Sequence, residues 1–195
     1  MLLHRLLLAA VVTSGAIVAA PITFLVSLNG ANESPANASP GIGTAVIVID
    51  SMAHTLQVDV SFSGLTFGTS AAHIHCCTAA PGTGNVGVAT VLPNFTGFPL
   101  GVMSGTYSRL YDMTLTLSYN AAFITAHGGT AAQAEADLFA GIAAGSAYLN
   151  IHTTAFPGGE IRGFLAPVPE PGTLLTLGAG LAGLAMIRRR RQSLN

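Results

Sequence analysis

His73 and His75 stand two residues apart in Ala72-His73-Ile74-His75, and a third histidine, His152, closes the run Tyr148-Leu149-Asn150-Ile151-His152. Successive side chains on a strand leave opposite faces, so His73 and His75 share a face with Cα atoms about 7 Å apart. Two imidazoles so placed can converge on one metal ion. His152 shares a face with Tyr148 and Asn150 on its own strand, and would join the pair if the two strands were neighbours. Cys76 and Cys77 follow His75 directly and add soft ligands. A mixed nitrogen and sulfur set suits copper or zinc. The same histidines can instead serve as hydrogen-bonding groups that hold loops, with Asn150, Thr153 or Glu160 as partners. Spacing alone leaves both readings open.

The two cysteines are the only ones in the chain, so no long-range disulfide can form within it. A vicinal disulfide, a pair of metal thiolates and cross-links to a second chain all remain open. Glu160 and Arg162 alternate on a strand and share a face, which predicts a structural ion pair, since a partly buried arginine needs a counter-charge. His54 and His127 lie in turn-like contexts and read as surface residues. The sequence has no G-x-S-x-G elbow, P-loop, H-E-x-x-H or C-x-x-C pattern, and its acids are scattered. The expectation is a non-enzymatic protein.

Strands must position these groups. Period-two alternation, the mark of half-buried strands, runs through Ile22–Leu28, Leu56–Phe62, Val86–Leu92, Leu110–Leu117, Tyr148–Thr153 and Ile161–Leu165. Ala45–Ile49 is continuously apolar and predicts a strand covered on both faces. Turn residues cluster at 34–43 and 80–84. The alanine-rich stretch Thr130–Ala144 predicts one helix, with Thr130 and Gln133 as a capping box and Gly145 as its stop. The expected fold is mainly β: an antiparallel, Greek-key-like β-sandwich with that short helix before its last two strands.

Both ends read differently from the middle. Residues 1–20 carry Arg5, an apolar stretch and the small residues Ala19 and Ala20, the layout of a secretory signal peptide. At the other end, residues 168–195 contain Pro169-Glu170-Pro171, an apolar segment at 172–187, and Arg188, Arg189, Arg190 and Arg191. The arginines hold the cytoplasmic side while the apolar segment enters the bilayer. That segment is short of the roughly 20 residues of a comfortable span, which suits a transient handle. Between the ends, 21–167 is one domain. With the arginine tail and Arg5 removed, only Arg109 and Arg162 face the eight acids, and the chain has no lysine. Such a surface repels phosphate backbones and argues against nucleic acid.

The tail resembles the PEP-CTERM sorting signal of Gram-negative bacteria. That resemblance implies an inner-membrane-anchored precursor, processing by an exosortase, and delivery to the cell surface, exopolysaccharide or extracellular matrix. The middle resembles the CHRD domain. Three motifs carry this match: Leu28-Asn29-Gly30-Ala31-Asn32-Glu33-Ser34-Pro35, Ala72-His73-Ile74-His75, and Asn150-Ile151-His152-Thr153 continuing to Phe156-Pro157-Gly158-Gly159-Glu160-Ile161-Arg162-Gly163. The CHRD resemblance implies an extracellular β-rich domain without an established catalytic activity. Two functional expectations follow. The first is a processed surface or matrix protein. The alternative is an extracellular copper- or zinc-binding protein using His73, His75 and His152. Carbohydrate binding is a third reading, against which the absence of tryptophan counts.

Overall fold

Alternation of buried and exposed residues organises one half of the molecule. The computed structural model describes residues 20–167 and positions 180, 181 and 183. Strands β1 (Ile22–Asn29), β2 (Ile42–Asp50) and β3 (Thr55–Ser63) form an antiparallel meander, and β5 (Gly105–Asp112) pairs with β3. Phe24, Val26 and Leu28 point into the core with Ala45, Ile47 and Ile49, and with Leu56, Val58, Val60 and Phe62. The strand expected at Ala45–Ile49 is present, but it is not covered on both faces. Val46 is exposed beside the equally exposed Leu25, its register partner. An antiparallel meander can leave its outer face in water, and this one does.

The other half is covered on both faces. It consists of β4 (Thr69–His75), β6 (Tyr148–Thr153) and β7 (Ile161–Phe164), with β6 buried at every residue. The full hydrogen-bonded order is β4-β6-β7-β1-β2-β3-β5, and a short β8 (Ala166–Pro167) also pairs with β1. The mainly antiparallel β-fold expected from the alternation is therefore observed, as one curled sheet. In the two-sided half, Ala72, Ile74, Leu149, Ile151 and Ile161 join the apolar core. The alternate positions carry His73, His75, Tyr148, Asn150, His152 and Arg162, all buried. Register places His73 opposite Asn150, His152 opposite Ala71, and Arg162 opposite Asn150.

Both ends of the strand path meet the same loop. Ala89 N–H donates to Ile74 O, Phe95 N–H to Ala72 O, and Thr69 N–H to Val102 O, along the free edge of β4. Thr96 N–H donates to the Tyr111 hydroxyl, and the Tyr107 hydroxyl donates to Thr96 O, on β5. Residues 86–102 thus line one edge and brace the other. Val86–Leu92, expected as a strand, lies in this loop and makes only isolated bridges, such as His75 with Val88. Ala89 and Thr90 both donate to Ile74 O, so no alternating ladder can propagate.

The expected strand at Leu110–Leu117 stops at Asp112. The Asp112 carboxylate accepts from the Thr114 N–H and hydroxyl, and this local turn competes with the sheet. Met113 is buried, but Leu115 and Leu117 are exposed, against the expectation that the three share a face. Helix α1 (Ala121–Ala126), capped by Asn120, follows without a sequence expectation. Helix α2 (Ala131–Ala143) lies where expected. Thr130 caps Gln133 N–H, and Gly145 leaves the helix with φ +70°.

Residues 1–19, the sorting residues Pro169, Glu170 and Pro171, most of 172–187, and Arg188 to Arg191 lie outside the described residues. Among the described residues no helix is long and apolar enough to cross a membrane.

Helix α2 packs on the core through Ala134, Leu138 and Ile142, with Gly141 pressed against Cys76 and Cys77. A Cβ on Gly141 would collide with both sulfurs. Gly141→Ala is therefore expected to destabilise the domain by about 1–3 kcal/mol through overpacking, although alanine is by propensity the better helix former by about 1 kcal/mol. Urea unfolding of the variant checks this; an unchanged or raised midpoint would show that the helix does not sit against the sulfurs.

Candidate metal centre

Neighbouring strands bring the three histidines together. β4 supplies His73 and His75, β6 supplies His152, and antiparallel pairing sets them on one covered face. The rings lie 5.1 Å (His73–His152), 5.8 Å (His73–His75) and 5.8 Å (His75–His152) apart between centroids. One ring nitrogen from each lies within 4.8 Å of the other two. All three residues are at most 8% exposed.

Backbone carbonyls decide which nitrogen of each ring carries its proton. His73 Nε2–H donates to Pro93 O at 2.6 Å, His75 Nδ1–H to Val86 O at 2.8 Å, and His152 Nδ1–H to Pro157 O at 2.9 Å. A carbonyl can only accept, so each contact assigns the tautomer of a neutral imidazole. What remains is a lone pair on His73 Nδ1, His75 Nε2 and His152 Nε2. All three atoms are buried, and none has a hydrogen-bond partner among the described residues. Buried polar atoms are rarely left so, and three facing one another call for a common partner. A histidine that ligates through one nitrogen while the other donates to a backbone carbonyl is the usual outer-shell arrangement of metal sites. The donors present therefore fit a copper or zinc ion.

The protonation chemistry agrees. Burial, which disfavours the charged ring, pulls His73 and His75 down to about 4, against the carbonyl contacts that favour the proton. His152 is lowered by the same cause. The rings are thus neutral, with lone pairs free, at neutral pH.

The cysteines do not join this set. Cys76 is bonded to Cys77, which removes both thiolates. Strand parity turns Cys76 to the core side, away from His75, where it is buried against α2. Of the three alternatives open from sequence, the vicinal disulfide is the one formed.

The ion pair expected between Glu160 and Arg162 is not formed either. Arg162 Nε lies 3.7 Å from Glu33 Oε2. Its guanidinium also donates to Asn32 O, Gly84 O and Asn85 Oδ1, and covers the Tyr148 ring at 4.7 Å. Glu160 precedes β7 and turns the other way, accepting from the Ser39 hydroxyl, Thr66 N–H and the Thr153 hydroxyl. Burial would raise Glu160, but these hydrogen bonds prevail and hold it below the usual carboxylate range. Glu33 was legible as part of the opening motif, but its pairing across the chain was not.

Glu33 Oε1 and Asn150 Oδ1 are two further buried oxygens without a donor. Both flank the space that a Cβ on Gly159 would occupy, so that position must stay open. Burial raises Glu33 to about 7 despite Arg162 beside it. His54 and His127 are remote from the centre; they meet Glu135 and Asp137 of α2, at 2.9 and 2.8 Å.

The CHRD domain family model matches residues 24–165, and the PEP-CTERM protein-sorting motif matches residues 167–191. The chain belongs to the CHRD domain family. No curated protein and no solved structure matches it.

The buried histidines carry a pH signature. Between about 4 and 6.5 the unfolded chain binds protons that folded His73 and His75 refuse, so stability falls as pH drops through that window. His152 acts in the same direction. Glu33 acts oppositely, because its folded form holds a proton that the unfolded chain releases above 4.5. Each proton is worth about 1.4 kcal/mol per pH unit, and the histidines outnumber Glu33. The metal-free domain should lose melting temperature from pH 6.5 to 5. Thermal melts at fixed ionic strength test this, and a flat or rising midpoint on acidification would contradict it.

Proposed function

We propose that this protein holds a transition metal, copper or zinc, outside the cytoplasm, using His73, His75 and His152 of its CHRD domain. The observation that carries the reading is the set of three convergent, buried ring nitrogens with no partner, each opposite a nitrogen that donates to a carbonyl. Neutral imidazoles on a rigid, two-sided sheet are preorganised ligands, so little ordering cost opposes binding.

The sorting motif makes this an exosortase-processed surface protein with a membrane-anchored precursor. Its retention by exopolysaccharide or a surface matrix is the finer part of the proposal. A domain with many neutral polar residues, two arginines and no lysine suits contact with uncharged polymer.

Two measurements test these statements. Mature protein recovered outside the cell is expected to lack Arg188 to Arg191; an intact mass that still contains them would refute processing before release. Copper or zinc should raise the melting temperature of the wild type, and His73→Ala should abolish most of that rise. A purely structural His73 would leave the wild-type curve unmoved by metal and make His73→Ala lower the metal-free midpoint instead.

A further inference from the structure

We infer that the three-histidine centre is selective for a monovalent cation, copper(I), over zinc(II) and copper(II). The inference rests on the metal reading above and adds the charge and coordination number of the ion. Three features of the chain carry it.

First, the donor set is neutral. The group of converging ligands contains three histidines and no carboxylate. The two cysteines could have supplied thiolates, but they are bonded to each other and face the core. A bound ion therefore keeps its whole charge in a buried site. The cost of burying an ion grows as the square of its charge, so a divalent ion meets roughly four times the desolvation penalty of a monovalent one.

Second, the described carboxylates on this side of the sheet, Glu33 and Glu160, have partners of their own. The carboxylate next to this half of the sheet is Glu33, and Arg162 already stands beside it at 3.7 Å. Arg162 also brings a positive charge to the centre's wall: it covers the Tyr148 ring, which stacks on His75 at 4.7 Å between ring centroids. Glu160 is occupied by Ser39, Thr66 and Thr153.

Third, the ligands are imidazoles on covered strands. Zinc in a three-histidine site completes its shell with water and relies on loss of a proton to offset its charge. Copper(I) is satisfied by three nitrogen donors and needs no anion. Imidazole suits both metals, so charge and coordination number decide between them.

The test uses the mature protein released from the cell. It is titrated anaerobically with copper(I) in ascorbate against a chromophoric copper(I) chelator, and separately with zinc(II) and copper(II) against chelators of known affinity. Copper(I) should bind at one equivalent, at least about tenfold more tightly than either divalent ion. The complex should give no copper(II) resonance signal, and should stay silent after exposure to air. His152→Asn, checked for an unchanged circular dichroism spectrum, should lose copper(I) binding; His127→Asn, outside the centre, should keep it. Tighter zinc(II) or copper(II) binding, or rapid appearance of a copper(II) signal in air, would overturn the selectivity while leaving the metal centre standing. Failure of all three ions to bind would instead remove the centre itself.

Discussion

Three backbone carbonyls hold the arrangement on which the rest depends. Pro93 O, Val86 O and Pro157 O each take the N–H of one imidazole. A neutral ring has a single N–H, so satisfying it outward leaves its lone pair facing inward. Two of these carbonyls belong to the loop at 86–102 that lines the edge of β4 and braces β5 through Thr96. The segment that covers both ends of the curled sheet is thus also the segment that orients His73 and His75. One loop thus supplies both edge protection and two of the three imidazole acceptors.

The buried charges on this side are arranged so that the centre itself stays neutral. Arg162 is matched by Glu33, by carbonyl acceptors and by aromatic faces. Glu160 meets no cation among the described residues and is stabilised by three donors from separate segments of chain. These donors tie the loop before β2, the loop after β3 and the β6–β7 hairpin into one unit. A buried carboxylate needs such donors to remain ionised, which makes Glu160 a structural anchor rather than a member of the centre.

The disulfide and α2 complete the frame. Cys76 and Cys77 follow His75 without an intervening residue, and Gly141 lets α2 close on their sulfurs. His54 and His127 hold the same helix through Glu135 and Asp137. The strand end carrying His75 is therefore fixed from one side by the loop at Val86 and from the other by the helix. The sulfurs that the sequence offered as metal ligands instead fill core space next to His75.

Local pattern was enough for the parts that local physics controls. Period-two alternation located β1 and β3, a continuous apolar run located β2, His-x-His placed two imidazoles on one face, and Thr130 with Gly145 bounded α2, because these depend on neighbours within a few residues. The motifs around Leu28, His73 and His152 were legible as CHRD, and the tail as a sorting signal, from short runs of residues. Where local cues misled, a non-local partner or a competing turn was responsible. Val86–Leu92 has strand-like alternation, but β4 offers it no regular ladder. Leu115 and Leu117 fit a strand face, but Asp112 turns the chain first. Glu160 and Arg162 share parity, yet each finds a partner more than 90 residues away in sequence, Thr66 for one and Glu33 for the other. Only the fold could decide that β4 and β6 are neighbours, that three lone pairs meet, and that the thiols do not. Those outcomes depend on pairing between distant strands, and side-chain spacing along one strand carries no record of which strand lies beside it.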